Sequence, residues 1–440
     1  MDRITLQNYR CFGSEEQSAC LAPLTLLVGP NSTGKTSFLA LIRALWDVAF
    51  REVVPNFREH PYDLGSWDDI VYDPGGRGRR AREFYANFES CNAPHLRTWQ
   101  LEFATKFSNS FTAPYPIARR FAYEDVGLEL YSLGVQADHT EEGVRYRTSC
   151  GEWADWQGRV GSRDLYPIRL LDDRTPESTE RHPKRYSETL DVILSKLRFH
   201  KDFYRRPFAS APIRSNPLRT YDPSLLRYDS EGDYIPSYLA NLSRRNADEW
   251  QLLKAKLEEF GSTSELFDEI NVRSFGTADG DPFQVQVRKH SGPKSRRRKG
   301  SWRNLIDVGY GVSQALPVLT ELLRPDGPTM FLLQQPEVHL HPQAQAALGT
   351  LFCQTAAGGR QLIIETHSDY IIDRVRMDAR DGTTDLKPED VSILYFEPGD
   401  LAVKIHSIRI DKAGNVLDAP KSYGNFFMDE VSRSIGLRKG

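Results

Sequence analysis

The chain has 440 residues, 39% hydrophobic and 27% charged, with a formal net charge of -3. That length supports a sizeable core, and the near-neutral balance gives the whole molecule no electrostatic preference for nucleic acid. The five cysteines, Cys11, Cys20, Cys91, Cys150 and Cys353, are scattered and lack metal-ligand spacing, which argues against a disulfide framework. Met1–Thr5 does not read as a signal peptide and no apolar run is long enough for a bilayer, so a cytoplasmic protein without membrane contact is expected.

In chain order, residues 2–9 alternate like a strand, and Leu24–Val28 is a short apolar run that suits a buried strand. Gly29–Gly34 forms a turn. From Lys35, the residues Phe38, Leu39, Ile42, Leu45 and Trp46 fall on one helix face. Between strand and helix, Gly29-Pro30-Asn31-Ser32-Thr33-Gly34-Lys35-Thr36 matches the P-loop pattern G-x-x-x-x-G-K-[ST]. Glycines let backbone N–H groups turn inward around phosphate oxygens, and the helix N-terminus aims its positive end at them. Lys35 neutralises the outer phosphates and Thr36 offers a hydroxyl to Mg²⁺. The expected ligands are ATP and Mg²⁺. The expected nucleotide contacts are Gly29, Asn31, Ser32, Thr33, Gly34, Lys35, Thr36 and Ser37.

Residues 50–80 are loop-rich and lead into a Gly-Arg tract at 75–82. Several Phe-, Tyr- and Val-rich strands are expected over 84–150, and a charged surface loop over 172–188. Asn246 suits a helix N-cap, with Glu249 at the capping-box position and Gly261 just past the end. Trp250, Leu253 and Leu257 share one side of that helix. A hairpin is expected over 270–289, and its Asp279-Gly280-Asp281 segment reads as turn chemistry rather than a metal site. The basic run 289–303 has the composition of a phosphate-binding patch and equally of a solvated loop.

From Trp302 the texture changes. A helix follows Gly311, Met330–Leu333 is a second buried strand, and a helix starts near Pro342. Gln361–Glu365 is a third strand, 370–376 a helix, and Val391–Phe396 with Leu401–Ile410 a hairpin. There are no internal repeats, no heptad arm, and no expected helix beyond about twenty residues. The pattern is α/β, with strands and helices alternating at both ends around a strand-rich middle.

Three later segments carry a family likeness. Met330–Glu337 runs four apolar residues, Gln334, Gln335, Pro336 and Glu337; it resembles the Walker B strand of ABC ATPases, and Val338–Pro342 resembles the following D-loop. Gln361–Ser368 resembles the H-loop, whose histidine, here His367, reaches the γ-phosphate. Asp307–Gln314 occupies the place of the ABC signature, with Gly309, Gly311 and Ser313 as its candidate contacts to a nucleotide on an opposite subunit. The order of these motifs resembles the AAA-domain ATPases related to the "overcoming lysogenisation defect" proteins, in the branch that includes SMC and RecF. Such ATPases serve antiphage systems such as PARIS, Septu and retron-linked operons. Ile410–Asn415 and Phe426–Glu430 also look like that group.

The resemblance implies an ABC-ATPase head: a P-loop mixed sheet with flanking helices, an antiparallel β subdomain, and an inserted helical and loop lobe. The expected divisions are 1–75 and 301–410 for the two parts of the head, 76–300 for the β subdomain and lobe, and 411–440 for a tail. It implies catalytic roles for Gln334, Gln335, Glu337 and His367, with Gln334 beside Thr36 at the metal. An acidic pair normally fills positions 334 and 335. Glutamine orients water but cannot accept its proton. Three readings stay open: slow hydrolysis, Glu337 supplying the missing charge, or an introduced glutamine. Implied partners are a second copy closing over ATP and a separate effector chain; the basic run 289–303, read by itself, adds nucleic acid as a candidate contact. Only about seventy residues follow His367, less than a usual domain, so any nuclease is expected on another chain. A RecF-like DNA-repair ATPase is the alternative. The Q-loop candidates are Ala211-Pro212-Ile213-Arg214 and Asp63-Leu64-Gly65-Ser66.

Overall fold

The structure is a computed structural model. It describes residues 2–51, 56–76, 78–90, 97–106, 116–125, 134–140, 143–150, 152–158, 206–214, 216–223, 229–291 and 299–425. The expected loop 172–188, most of the basic run 289–303 and the segment Phe426–Glu430 lie outside these residues. The chain forms two compact units: residues 1–22, 29–206 and 394–407, and residues 23–28, 207–393 and 408–440.

In the first unit, β1 (Arg3–Gln7), β2 (Gln17–Cys20), β4 (Glu83–Ser90), β5 (Arg97–Lys106) and β6 (Pro116–Asp125) form an antiparallel sheet in the order β2-β1-β4-β5-β6. A second sheet joins β7 (Gly134–Thr140), β8 (Gly143–Cys150) and β9 (Glu152–Gly158). Strands β4 to β8 are those expected over 84–150, and β9 lies just beyond that range. Helix α1 (Lys35–Arg51) begins at the predicted lysine, and a short α2 (Trp67–Ile70) follows. The core is aromatic: Tyr9 lies 5.2 Å from Phe84, and Phe396 meets Phe38 edge-on at 5.6 Å and Phe12 at 6.1 Å, centroid to centroid.

The second unit contains β3 (Leu24–Val28), β10 (Phe208–Ser210), β14 (Met330–Gln334) and β15 (Gln361–Glu365). These four run parallel in the order β10-β14-β15-β3. Apart from Gln361 all their residues are buried, which is why they read as continuous apolar runs. Strands β16 (Val391–Glu397) and β17 (Lys404–Ile410) are each divided between the two units, and β18 (Val416–Leu417) pairs antiparallel with the end of β17. A smaller antiparallel sheet joins β11 (Glu269–Ser274), β12 (Phe283–Arg288) and β13 (Arg303–Asn304). Its β11–β12 hairpin turns where expected, and Asp281 accepts the Ala278 N–H in the turn.

Five helices of this unit are α3 (Ile235–Arg245), α4 (Ala247–Thr263), α5 (Tyr310–Leu323), α6 (Pro342–Ala357) and α7 (Asp369–Asp381). Asn246 caps α4 through the Glu249 N–H, and its side chain donates to the Glu249 carboxylate. Three boundaries differ from expectation. Gly261 is not past the end of α4 but inside its last turn; an added Cβ there would meet the Phe267 ring at 2.6 Å, so the glycine serves close packing. Helix α5 starts one residue before Gly311, and α7 extends to Asp381, ended by Gly382 in the left-handed region at φ 63°. Among the described residues no helix is long and apolar enough to cross a membrane.

Candidate functional site

The glycine turn is held by the shape of the first unit's core. Gly29 and Gly34 have φ of 143° and 83°, and Ser32 also has a positive φ of 62°. A Cβ on Gly29 would come within 2.7 Å of the Phe396 carbonyl oxygen, and one on Gly34 within 2.3 Å of the Cys11 Sγ. Both positions therefore exclude side chains by conformation and by space. The Phe38 N–H donates to the Gly34 carbonyl, so α1 winds directly out of the turn. Lys35 is buried, and its Nζ donates to the carbonyls of Gly29 at 2.9 Å and Pro30 at 2.6 Å. The Thr33 hydroxyl donates to the Pro30 carbonyl. Asn31 and Ser32 are exposed, and Thr36 is half-buried. Ser37 is engaged on the other side, where Tyr9 Oη donates to its carbonyl and Arg10 Nε to its hydroxyl.

In the second unit, the parallel register sets Gln334 opposite Glu365, and Glu365 opposite Leu27. This row marks the C-terminal edge of three strands, the edge at which open α/β sheets bind ligands. Two residues beyond it, β14 reaches Pro336 and β15 reaches His367, while the chain leaving β3 passes into Gly29. The Gln335 N–H donates to the Glu365 carbonyl and the Thr366 N–H to the Leu27 carbonyl, extending the ladder past the strand ends.

Gln334 is 4% exposed and its Nε2 has no hydrogen-bond partner among the described residues. Gln335 sits at φ 40°, a turn conformation that sends the chain into the D-loop. Glu337 is buried. Its Oε1 accepts the His367 backbone N–H at 2.8 Å and its Oε2 has no hydrogen-bond partner among the described residues. Burial is the largest influence on its carboxyl and raises its pKa, opposed by hydrogen bonds from His367, its own backbone and Thr366, and by the charge of Arg214. The imidazole of His367 is carried half-buried at the end of β15. Gln345 of α6 ties the two loops together: its Nε2 donates to the Leu340 carbonyl and its Oε1 accepts the Ser368 hydroxyl. His341 caps α6 through Nδ1 and has a loop-fixing role.

The signature-like segment starts α5. Gly309 and Tyr310 are exposed at its first turn, with Tyr310 60% exposed and its ring 5.7 Å from that of His339. Ser313 is buried and its hydroxyl donates to the Tyr310 carbonyl. A Cβ on Gly311 would meet the His339 carbonyl oxygen at 2.9 Å, whereas one on Gly309 would meet nothing within 4 Å.

Of the two Q-loop candidates, Asp63–Ser66 is a capping turn in which Ser66 precedes α2 and pairs with Asp69. Ala211–Arg214 follows β10, the parallel neighbour of β14. Residue-level reading of the sequence missed the charge it brings. The guanidinium of Arg214 is buried beside the Walker B-like segment, and a lone arginine after a three-residue strand gives no sequence signal of that.

The residues present fit a nucleotide. In the first unit the turn is a cradle that a Cβ would fill; in the second, Arg214, Gln334 and Glu337 hold buried polar atoms without a hydrogen-bond partner among the described residues. Taken unit by unit, the Thr36 hydroxyl in the first, and the Gln334 amide oxygen and the Glu337 carboxylate in the second, are oxygens of the kind a hard cation takes.

Comparison with known proteins identifies the setting. Residues 146–373, just over half the chain, match the family described as "AAA domain, putative AbiEii toxin, Type IV TA system". The OLD nuclease of Thermus scotoductus is 25% identical over 389 residues, covering 86% of this chain and 61% of that protein, so the chain spans less than two thirds of that relative. Solved structures that resemble it include an SMC head bound to the C-winged helix domain of ScpA, at a TM-score of 0.47 and 13% identity, covering 94% of this chain and 98% of that one. The SMC head domain from Thermotoga maritima aligns at a TM-score of 0.40 and 11% identity, covering 93% and 99%. With the family match over half its length, the chain belongs to this AAA-domain family, an ABC-type AAA ATPase family related to the OLD nucleases.

Proposed function

We propose that the chain is an ATP-dependent switch whose heads close in pairs over nucleotide and thereby control an effector in a bacterial antiphage complex. The supporting observation is the row Gln334–Glu365–Leu27, which gathers the Walker B-like and H-loop-like strand ends beside the strand that feeds the P-loop. Lys35 and the N–H groups of Gly29 and Asn31–Thr36 hold the phosphates. Thr36 and Gln334 hold Mg²⁺, which supplies charge neutralisation at the outer phosphates. Gln335 orients the attacking water without accepting its proton, so hydrolysis is slow. His367 contacts the terminal phosphate.

Pairing of heads is supported by the exposed first turn of α5, where Gly309 and Tyr310 stand beside His339. Free N–H groups at such a turn suit an anion presented by a second copy. The defence setting rests on the resemblance of the motif order to antiphage ATPases, with which an OLD nuclease relative is compatible. The test is the solution mass of the full chain with and without ATP and Mg²⁺. A doubling or larger increase with ATP, absent in Lys35→Ala, is expected. A mass indifferent to nucleotide overturns the switch.

A further inference from the structure

Within the second unit, α4, α5 and α6 enclose a groove of about 680 Å³, and none of the expected nucleotide contacts lines it. Fixed contacts hold its walls. Gln343 at the start of α6 donates from Nε2 to the Thr263 carbonyl, in the last turn of α4. Arg360 donates to the carbonyls of Leu322 and Arg324, at the end of α5. The lining includes the buried side chains of Phe260, Leu322 and Leu351, one from each helix.

Two cations face this apolar lining. Lys256 of α4 and Arg374 of α7 line the groove as half-buried side chains, and neither has a hydrogen bond or ion pair among the described residues. The stem of Arg374 is placed by packing: a Cβ on Gly349 of α6 would meet its Cβ and Cγ, both at 3.1 Å. The acids beside it on α7 are engaged elsewhere. Asp373 pairs with Arg376, and Asp378 accepts the Thr350 hydroxyl. Glu259 is the one acid of the lining, against Lys256, Arg360 and Arg374, and it is exposed. An open groove between helices, apolar within and positive in balance, suits a helix-in-groove partner with carboxylates at its rim.

We infer that this groove docks an acidic amphipathic segment of a partner chain, with its carboxylates on Lys256 and Arg374 and its apolar side chains over Phe260, Leu322 and Leu351. That the partner is the effector rests on the proposed switch; the groove itself does not. Helix α5 begins at the signature-like turn and α6 follows the D-loop-like segment, so a docked segment touches the helices that lead from both.

The experiment is fluorescence anisotropy on the full chain without nucleotide. The probe is a labelled amphipathic peptide of leucine and glutamate, ~12 residues or ~18 Å as a helix, and the control is its leucine–glutamine counterpart. The glutamate peptide is expected to bind more tightly than the control and to weaken with salt. Lys256→Gln and Arg374→Gln each weaken it by about fivefold, and Arg374→Lys recovers part of the loss. Lys254→Gln, on the same helix but paired with Glu258 outside the groove, leaves it unchanged. Should Arg374→Gln not fold, Lys256→Gln carries the test. Equal affinity for the two peptides, or affinity indifferent to Lys256→Gln, overturns the proposal. Sodium glutamate that raises the melting temperature as much as the peptide makes this a small-anion site and overturns it too. So does a nucleotide-free solution mass that falls in Lys256→Gln, which makes a second copy the occupant. A mass indifferent to ATP sinks the switch and leaves the groove standing, so the two failures are distinguishable.

Discussion

The two glutamines at the end of β14 differ in what they face. Gln334 is buried with its amide nitrogen unpartnered, and Gln335 occupies a positive-φ turn with its backbone N–H bonded to Glu365. Substituting Gln335→Glu supplies a proton acceptor on an isosteric side chain, so ATP turnover is expected to rise on the order of 100-fold, measured by phosphate release. An unchanged rate places the limiting step elsewhere. Glu337 supports a second prediction. Its folded-state pKa is raised, chiefly by burial, so the folded protein favours the protonated acid. Stability from this group is present below the unfolded carboxyl range and is lost as pH rises through the folded value. Glu337→Gln keeps an acceptor for the His367 N–H and removes the charge. Its melting temperature should therefore exceed the parent's near neutral pH, with the gain disappearing in mild acid. A gain independent of pH shows that the carboxylate charge is not its source.

Helix α5 separates folding from function within one turn. Gly311 lies where a Cβ meets the His339 carbonyl at 2.9 Å, and Gly309 lies where a Cβ meets nothing. Alanine gains roughly 1 kcal/mol of helix propensity over glycine, but overpacking against backbone costs about 1–3 kcal/mol. Gly311→Ala should lower the melting temperature by displacing the D-loop, while Gly309→Ala should leave it unchanged and weaken only ATP-driven assembly. Equal melting temperatures for both variants contradict the packing argument. The same helix shows what the sequence makes legible. Strands β3, β14 and β15 are apolar runs buried on both faces, and each ends in a polar motif, so strands and motifs are readable together. The glycines 309 and 311 both read as phosphate-binding, yet one is needed by a tertiary contact that no local pattern encodes. Likewise β10 has three residues, too few for a periodicity, and the burial of Arg214 just after it has no local signal. Gly261 looked like a helix stop because the phenyl ring of Phe267 that requires it lies six residues further on.

For the whole molecule, the net charge of -3 gives no general drive toward nucleic acid, and the proposed assembly rests on nucleotide-dependent surfaces instead. A switch that closes on ATP and opens on hydrolysis has a closed lifetime set by the hydrolysis rate. On the proposed reading, glutamine at both acidic positions makes the closed state decay slowly, so that ATP alone accumulates it. The assembled fraction should then persist for hours after free ATP is diluted in the parent chain and collapse within minutes in Gln335→Glu, followed by light scattering or mass photometry. Lys35→Ala should never assemble, because nucleotide is not retained. If Gln335→Glu hydrolyses faster but stays assembled equally long, hydrolysis does not reopen the heads. Closure would then be relieved by another event, such as release of the effector.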